Sequence, residues 1–294
     1  MHYLLRKLIS GNMRFNIITN LNGCGLEQDA AVLSQELISR GHEVTRVQFD
    51  RPQFNRADVN VFLEIINEQM LGLANQNWIV PNPEWYYIHW PRAPFRWFLA
   101  KTHDSGRRFA TLVNGKCRYI GWRSRDLYRP AVRRERKFLH VAGKSRFKNT
   151  DAVEMGCGLA GVPVTVVRDG IGRISDDYLA ELFNSHAFFL CPSQYEGYGM
   201  ALHEALGCGA VIITTDAAPM NEIAPSVLIP SEGVRQYNFG TLHTVSAAGV
   251  AEAVNAAMEF SDDEISRWRE AGRAAYEEDV QAFSRAMDDL LGEA

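Results

Sequence analysis

The segment 187–213 constrains this chain more than any other. An apolar run, Ala187-Phe188-Phe189-Leu190, leads into Pro192-Ser193-Gln194-Tyr195-Glu196-Gly197-Tyr198-Gly199. Met200-Ala201-Leu202-His203-Glu204-Ala205-Leu206-Gly207 comes next, and after Cys208-Gly209 a second apolar run, Ala210-Val211-Ile212-Ile213, follows. Short apolar runs bounded by turn residues fit buried strands, so the reading is strand, glycine turn, short helix, strand. Such a unit belongs to a parallel sheet covered by helices on both faces. In open sheets of this kind ligands bind at the carboxyl ends of the strands, where this turn falls. Gly197 and Gly199 let backbone N–H groups approach a ligand closely, and the start of the helix adds partial positive charge suited to phosphate. Glu196 precedes the helix and Glu204 lies within it, so the two carboxylates flank the turn and can accept hydrogen bonds from hydroxyls. Phosphate on amides and hydroxyls on carboxylates together point to a nucleotide-sugar.

The rest of the chain repeats the alternation, which places it in the α/β class. In the first half, strands are predicted at 15–19, 43–49, 59–66, 78–80, 97–100 and 118–121, with helices at 26–40 and 105–112. In the second half, strands are predicted at 138–141, 162–167, 187–190 and 210–214. Helices are predicted at 149–159, 175–184, after Gly199, and at 250–259, 262–275 and 276–291. A length of 294 residues suits two medium cores. The expected division is 1–130, with 1–12 as a possible start-site extension, then 131–275, then a helix over 276–294. A hinge is expected at 125–137.

Hydrophobic content of 46% and charged content of 22% are those of an ordinary globular protein, with no apolar run long enough for a membrane span. The five cysteines are scattered without a metal-ligand spacing, so neither a zinc site nor a disulfide framework is expected and a cytoplasmic location fits. Charge is uneven. Residues 92–148 carry 17 Lys/Arg against 3 Asp/Glu, whereas 149–294 carry 7 against 23. Such a block is either a solvated face or a docking surface for an anionic partner, nucleic acid or an acidic membrane.

The segment 192–209 resembles the E-x7-E region of the retaining GT-B glycosyltransferases of family four, the glycosyl transferases group 1. Phe138-Leu139-His140-Val141-Ala142-Gly143-Lys144 with Lys148-Asn149 resembles the strand and basic loop that hold the donor diphosphate in that group, and Asn22-Gly23-Cys24-Gly25 resembles its first glycine loop. The resemblance implies two Rossmann-like domains with parallel sheets facing a central cleft, and a last helix crossing back to the first domain. It implies transfer of a sugar from a UDP- or GDP-linked donor to an acceptor hydroxyl, with retention and without a metal or other cofactor. By that resemblance Glu196 meets the transferred sugar and Glu204 the nucleotide ribose. Lys144, Lys148 and the intervening Arg146 meet the diphosphate, and Ser193, Gly197, Tyr198, Gly199 and Met200 line the donor. His203 is read as a packed or surface histidine.

On the first domain, Asn22, Gly23 and Gly25 are expected to form the phosphate and acceptor loop. The group often places a histidine against the sugar where this chain has Asn82 and Glu84, and Lys101 with His103 is the rival cluster. The acceptor is expected to be a saccharide, a lipid-linked glycan or, given the basic stretch, a hydroxylated base in DNA, with peripheral contact to anionic membrane also open. The alternative outside catalysis is an inactive binding protein of the same architecture.

Overall fold

The structure is a computed structural model in which residues 11–21, 25–52, 55–143, 145–168, 174–223 and 226–294 are described. It divides into two units, Met1–Trp122 with Gln281–Ala294, and Arg123–Val280. Among the described residues no helix is long and apolar enough to cross a membrane.

The first unit is built on β1 (Arg14–Thr19), β2 (Glu43–Gln48), β3 (Ala57–Leu63), β4 (Ala74–Val80), β5 (Trp97–Ala100) and β6 (Cys117–Tyr119), with helices α1 (Gly25–Ser39) and α2 (His103–Ala110). The strands form one parallel sheet in the order β2-β1-β3-β4-β5-β6. Its core is aromatic. Tyr86 meets Phe109 edge-on at 5.0 Å, and Phe95 meets Phe98 at 5.7 Å, a geometry that adds to plain area burial. Three buried asparagines cross the sheet as a ladder: Asn16 donates to Asn60 at 3.0 Å, and Asn60 to Asn77 at 3.2 Å. Unpaired amides would be costly inside, so this ladder favours a single strand register.

The second unit holds β7 (Glu135–Gly143), β8 (Val164–Arg168), β9 (His186–Cys191), β10 (Val211–Asp216) and β11 (Ser226–Pro230). They form a parallel sheet in the order β11-β10-β9-β7-β8. Helices α3 (Thr150–Ala160), α4 (Asp176–Ser185), α5 (Met200–Gly207) and α6 (Ala247–Met258) cover it. Successive residues serve opposite faces, as pleating requires. Phe138, Phe188 and Ile213 enter one core with Val250 and Val254, while Leu139, Phe189 and Ile212 enter the other with Leu202 and Leu206. Counted from each unit's first strand, the sheets run 2-1-3-4-5-6 and 2-1-3-4-5. Each therefore reverses direction between its first and third strands, β1 and β3 in one unit and β7 and β9 in the other. That reversal is where doubly wound sheets bind ligands.

Helices α3 and α6 approach closely at Gly156. A Cβ there would lie 2.6 Å from the Val250 side chain and 2.8 Å from the Ala247 carbonyl oxygen. Gly156→Ala is therefore expected to destabilise the second unit by about 2 kcal/mol, because overpacking outweighs the helix propensity gained. Urea unfolding monitored by circular dichroism measures this, and a variant more stable than the parent would contradict it.

Several sequence expectations need correction. The helices expected over 262–275 and 276–291 are one helix, α7 (Asp262–Gly292). Gly272 lies inside it, where a Cβ would come 3.1 Å from the Leu206 side chain. Strand β11 and a hairpin, β12 (Gly233–Tyr237) with β13 (Gly240–Thr244), were not expected. Helix α2 starts two residues earlier than predicted, at a capping box formed by Thr102 and Ser105. Helix α4 runs one residue later at each end than predicted, with Ser175 as its N-cap.

Candidate active site

Unit two carries its polar constellation at the reversal point of its sheet. Beyond β7 the chain forms a short helical turn, Arg146–Lys148, and beyond β9 it runs through Ser193 to Glu196. Lys148 Nζ and Glu196 Oε1 are 2.6 Å apart, with side chains only 13% and 12% exposed. The same carboxylate oxygen accepts from Ser193 Oγ at 2.5 Å and from Cys191 Sγ at 3.8 Å. Ser193 is fully buried, and its hydroxyl holds Glu196 in place.

Gly199 ends the turn with φ 83°, a left-handed conformation that favours glycine, and precedes α5 with no side-chain cap. The first amides of α5, from Met200 onward, are thus left without a side-chain acceptor from the cap, as an anion site at a helix start requires. Tyr198 is buried and stacks on His203 with ring centroids 3.9 Å apart. His203 Nδ1 meets the Gly199 carbonyl oxygen at 3.1 Å, and burial lowers its pKa to about 4. It is a neutral packing residue at physiological pH.

Glu204 is buried, and its Oε1 accepts from Arg125 Nε at 2.7 Å. Arg125 also pairs with Asp176 at 2.9 Å. Burial raises the Glu204 pKa while the Arg125 charge lowers it. Arg125 was missed in the sequence, since it lies far upstream of the motif and inside a run of unremarkable basic residues. Arg146 turns to the hairpin, donating to the Tyr237 hydroxyl at 2.9 Å. Gly197 lies in the turn beside Glu196. Lys144 lies outside the described residues.

The first unit has its own polar cluster at the carboxyl ends of its strands. Asn82, just past β4, donates to Glu64 Oε1 at 2.8 Å. Lys101, just past β5, pairs with Asp29 of α1 at 2.9 Å, both side chains being buried. Two expected rivals, Asn82 and Lys101, thus join one cluster through Glu64, whose pKa is pushed up to about 7 by burial against the opposing pull of Lys101 and Asn82. His103 leaves that cluster and stacks on Tyr119 at 4.0 Å on the surface. Glu84 is buried on a short helical turn, Pro83–Trp85. Gly25 opens α1. Asn22 and Gly23 lie outside the described residues.

Residues 126–259 match the family model described as Glycosyl transferases group 1. These residues are a group 1 glycosyltransferase domain. The match covers β7 to α6, with the Lys148–Glu196 pair and Glu204 inside it. The fold agrees with solved structures over nearly the whole chain. A sucrose-phosphate synthase from Thermosynechococcus elongatus is 12% identical with a TM-score of 0.67, over 95% of this chain and 98% of that one. WaaG, a glycosyltransferase involved in lipopolysaccharide biosynthesis, is 14% identical with a TM-score of 0.64, over 95% of this chain and 99% of that one. A chain of the GtfA/B complex is 15% identical with a TM-score of 0.57, over 81% of this chain, and this chain spans only 57% of its length. At these identities the likeness is one of fold, the GT-B architecture of two Rossmann-like units. No curated protein matches the sequence.

Proposed function

We infer that this glycosyltransferase moves a sugar from a nucleoside diphosphate donor to an acceptor hydroxyl with retention, and that its second unit holds the donor. The observation that carries the reading is the Lys148–Glu196 pair at the reversal point of the sheet, beside the uncapped start of α5. Negative charge builds on the departing diphosphate, and a fixed ammonium with oriented amides stabilises it where it forms. Glu196 is held by Lys148 and Ser193, so it is pre-positioned to accept from sugar hydroxyls. Glu204, anchored by Arg125, is the carboxylate suited to the ribose. Lys144 and Arg146 belong to the same basic loop, and Gly197 to Met200 supply the backbone. Uridine and guanosine donors both fit this chemistry.

A saccharide acceptor is better supported than DNA. Much of the basic stretch 92–148 is neutralised within the chain: Lys101, Arg108, Arg125, Arg129, Arg136 and Lys148 each pair with a carboxylate. A gel-shift titration with duplex DNA is expected to show no salt-sensitive retention.

The donor reading is tested by thermal shift with UDP and GDP, followed by transfer assays with labelled UDP- and GDP-sugars. A specific nucleotide raises the melting temperature by mass action. Neither nucleotide shifting the protein, with no donor hydrolysed, would sink the reading.

A further inference from the structure

In the first unit the oxygen acceptors Thr19 Oγ1, Asp29 Oδ1 and Asn82 Oδ1 stand without a hydrogen-bond partner among the described residues. Thr19 is fully buried and Asp29 is 5% exposed. Buried polar groups are seldom left unmade, so three together call for an explanation. Strand register brings them to one place. Ile18 pairs with Phe62, Leu63 with Val80, and Ile79 with Phe98. Continuing each register past the strand ends sets Thr19 level with Leu63, Glu64 one step beyond it, and Asn82 and Lys101 one step beyond Glu64, all along the carboxyl rim. Asp29 joins them through its bond to Lys101.

Glu64 is the centre of this rim. It follows β3, the strand at which the sheet reverses, as Glu196 follows β9 in the other unit. Its φ is 65°, a conformation disfavoured for a residue with a side chain. Its N–H still bonds the Val80 carbonyl at 3.0 Å, and the next N–H, of Ile65, folds back to Leu63 at 2.7 Å. Strain of this kind persists where the surroundings enforce it, and it aims the carboxyl group at Asn82. The charges on the rim disfavour an anion: Lys101 is matched by Asp29, and Glu64 adds only negative charge. Oxygen acceptors in excess fit a neutral ligand that donates hydrogen bonds.

We propose that Glu64, with Asn82, Asp29 and Thr19, forms a hydroxyl-binding subsite of the first unit that takes the neutral saccharide acceptor. The proposal rests on the transfer reading above. Glu64 acts by accepting a hydrogen bond from one acceptor hydroxyl, and its ionised form accepts more strongly. The groups facing it are Asp29 from α1, Asn82 beyond β4 and Lys101 beyond β5. Its carboxyl titrates near neutrality, so the acceptor KM is expected to fall as pH rises through about 7.

Two variants test this. Glu64→Gln keeps the shape and an acceptor for Asn82 but cannot ionise. The acceptor KM is expected to rise about tenfold or more and lose its pH dependence, while the thermal shift with UDP or GDP stays as in the parent. Glu64→Gly relieves the left-handed strain. It is expected to raise the melting temperature by about 2 °C while weakening binding of neutral saccharides, followed by tryptophan fluorescence. A parent that binds neither nucleotide overturns the donor reading. An active Glu64→Gln enzyme with unchanged KM and pH profile overturns this one. So does a Glu64→Gly variant that melts lower, which would give Glu64 a purely structural role. A shift produced by Mg²⁺ alone, lost in Glu64→Gln, would overturn it in favour of a cation site.

Discussion

Lys148→Ala is expected to lower kcat by about 10²- to 10³-fold, the usual effect of deleting one preorganised group that stabilises developing charge. The size follows from where Lys148 sits. It is the described cation of the basic loop that pairs with Glu196, and both side chains are nearly enclosed. Removal therefore does two things at once: it takes away the ammonium that the proposed reaction places on the departing diphosphate, and it leaves Glu196 with the hydroxyl of Ser193 and the thiol of Cys191. Stranding a carboxylate in such surroundings costs about 3 kcal/mol of stability. Lys148→Arg keeps the charge but presents a planar fork in place of a compact ammonium, so it is expected to recover stability more fully than rate. Steady-state kinetics with urea unfolding separate the two effects. A Lys148→Ala enzyme retaining more than about a fifth of parental kcat would remove Lys148 from the reaction.

Arg125→Ala is expected to destabilise the second unit by about 3 kcal/mol at neutral pH and to weaken nucleotide binding in parallel. Arg125 supplies the counter-charge at 2.7 Å to Glu204, which is almost wholly enclosed. Breaking such a pair from one side leaves an uncompensated buried charge, which costs more than the pair itself contributes. The pH dependence identifies the cause. The Glu204 pKa already lies above the ordinary carboxylate range because of burial, with Arg125 holding it down. Without Arg125 it rises further, so the folded variant takes up a proton that the unfolded chain releases. The deficit of Arg125→Ala should therefore shrink as pH falls from neutral toward 5. In the double variant with Glu204→Gln, stability should be largely recovered while nucleotide binding is not. A deficit independent of pH would mean that Arg125 acts through its bond to Asp176 instead.

The legible parts of this molecule were those written in local pattern. Trp97–Ala100 was found with its observed ends, since four apolar residues between turn segments admit little else. The glycine turn before α5 was legible because Gly199 adopts the left-handed conformation that a tight turn demands. Residues whose importance depends on distant partners were not. Arg125 looks like any other basic residue until the fold brings Glu204 to it across 79 positions. Glu64 is a single acid after a strand, and neither its left-handed backbone nor its enclosure has a sequence signature. The support that Ser193 gives Glu196 was likewise hidden, because a hydroxyl three positions away shows its hydrogen bond only once the turn is folded. The hairpin over 233–244 is short and mostly exposed, so it has little apolar alternation to reveal it.

The first unit is interrupted in the chain: its final portion, Gln281–Ala294, is separated from Trp122 by all of the second unit. Phe283 rests on Trp122 at 5.0 Å, Met287 is fully buried, and Arg40 bonds both Asp288 and Ser284 at 2.8 to 2.9 Å. During synthesis the early half therefore waits, with an apolar flank uncovered, until translation has passed residue 280. The second unit is made in one stretch and needs no such delay. Ribosome-stalled nascent chains would accordingly gain protease resistance in the later half first, reversing the usual order in which domains mature.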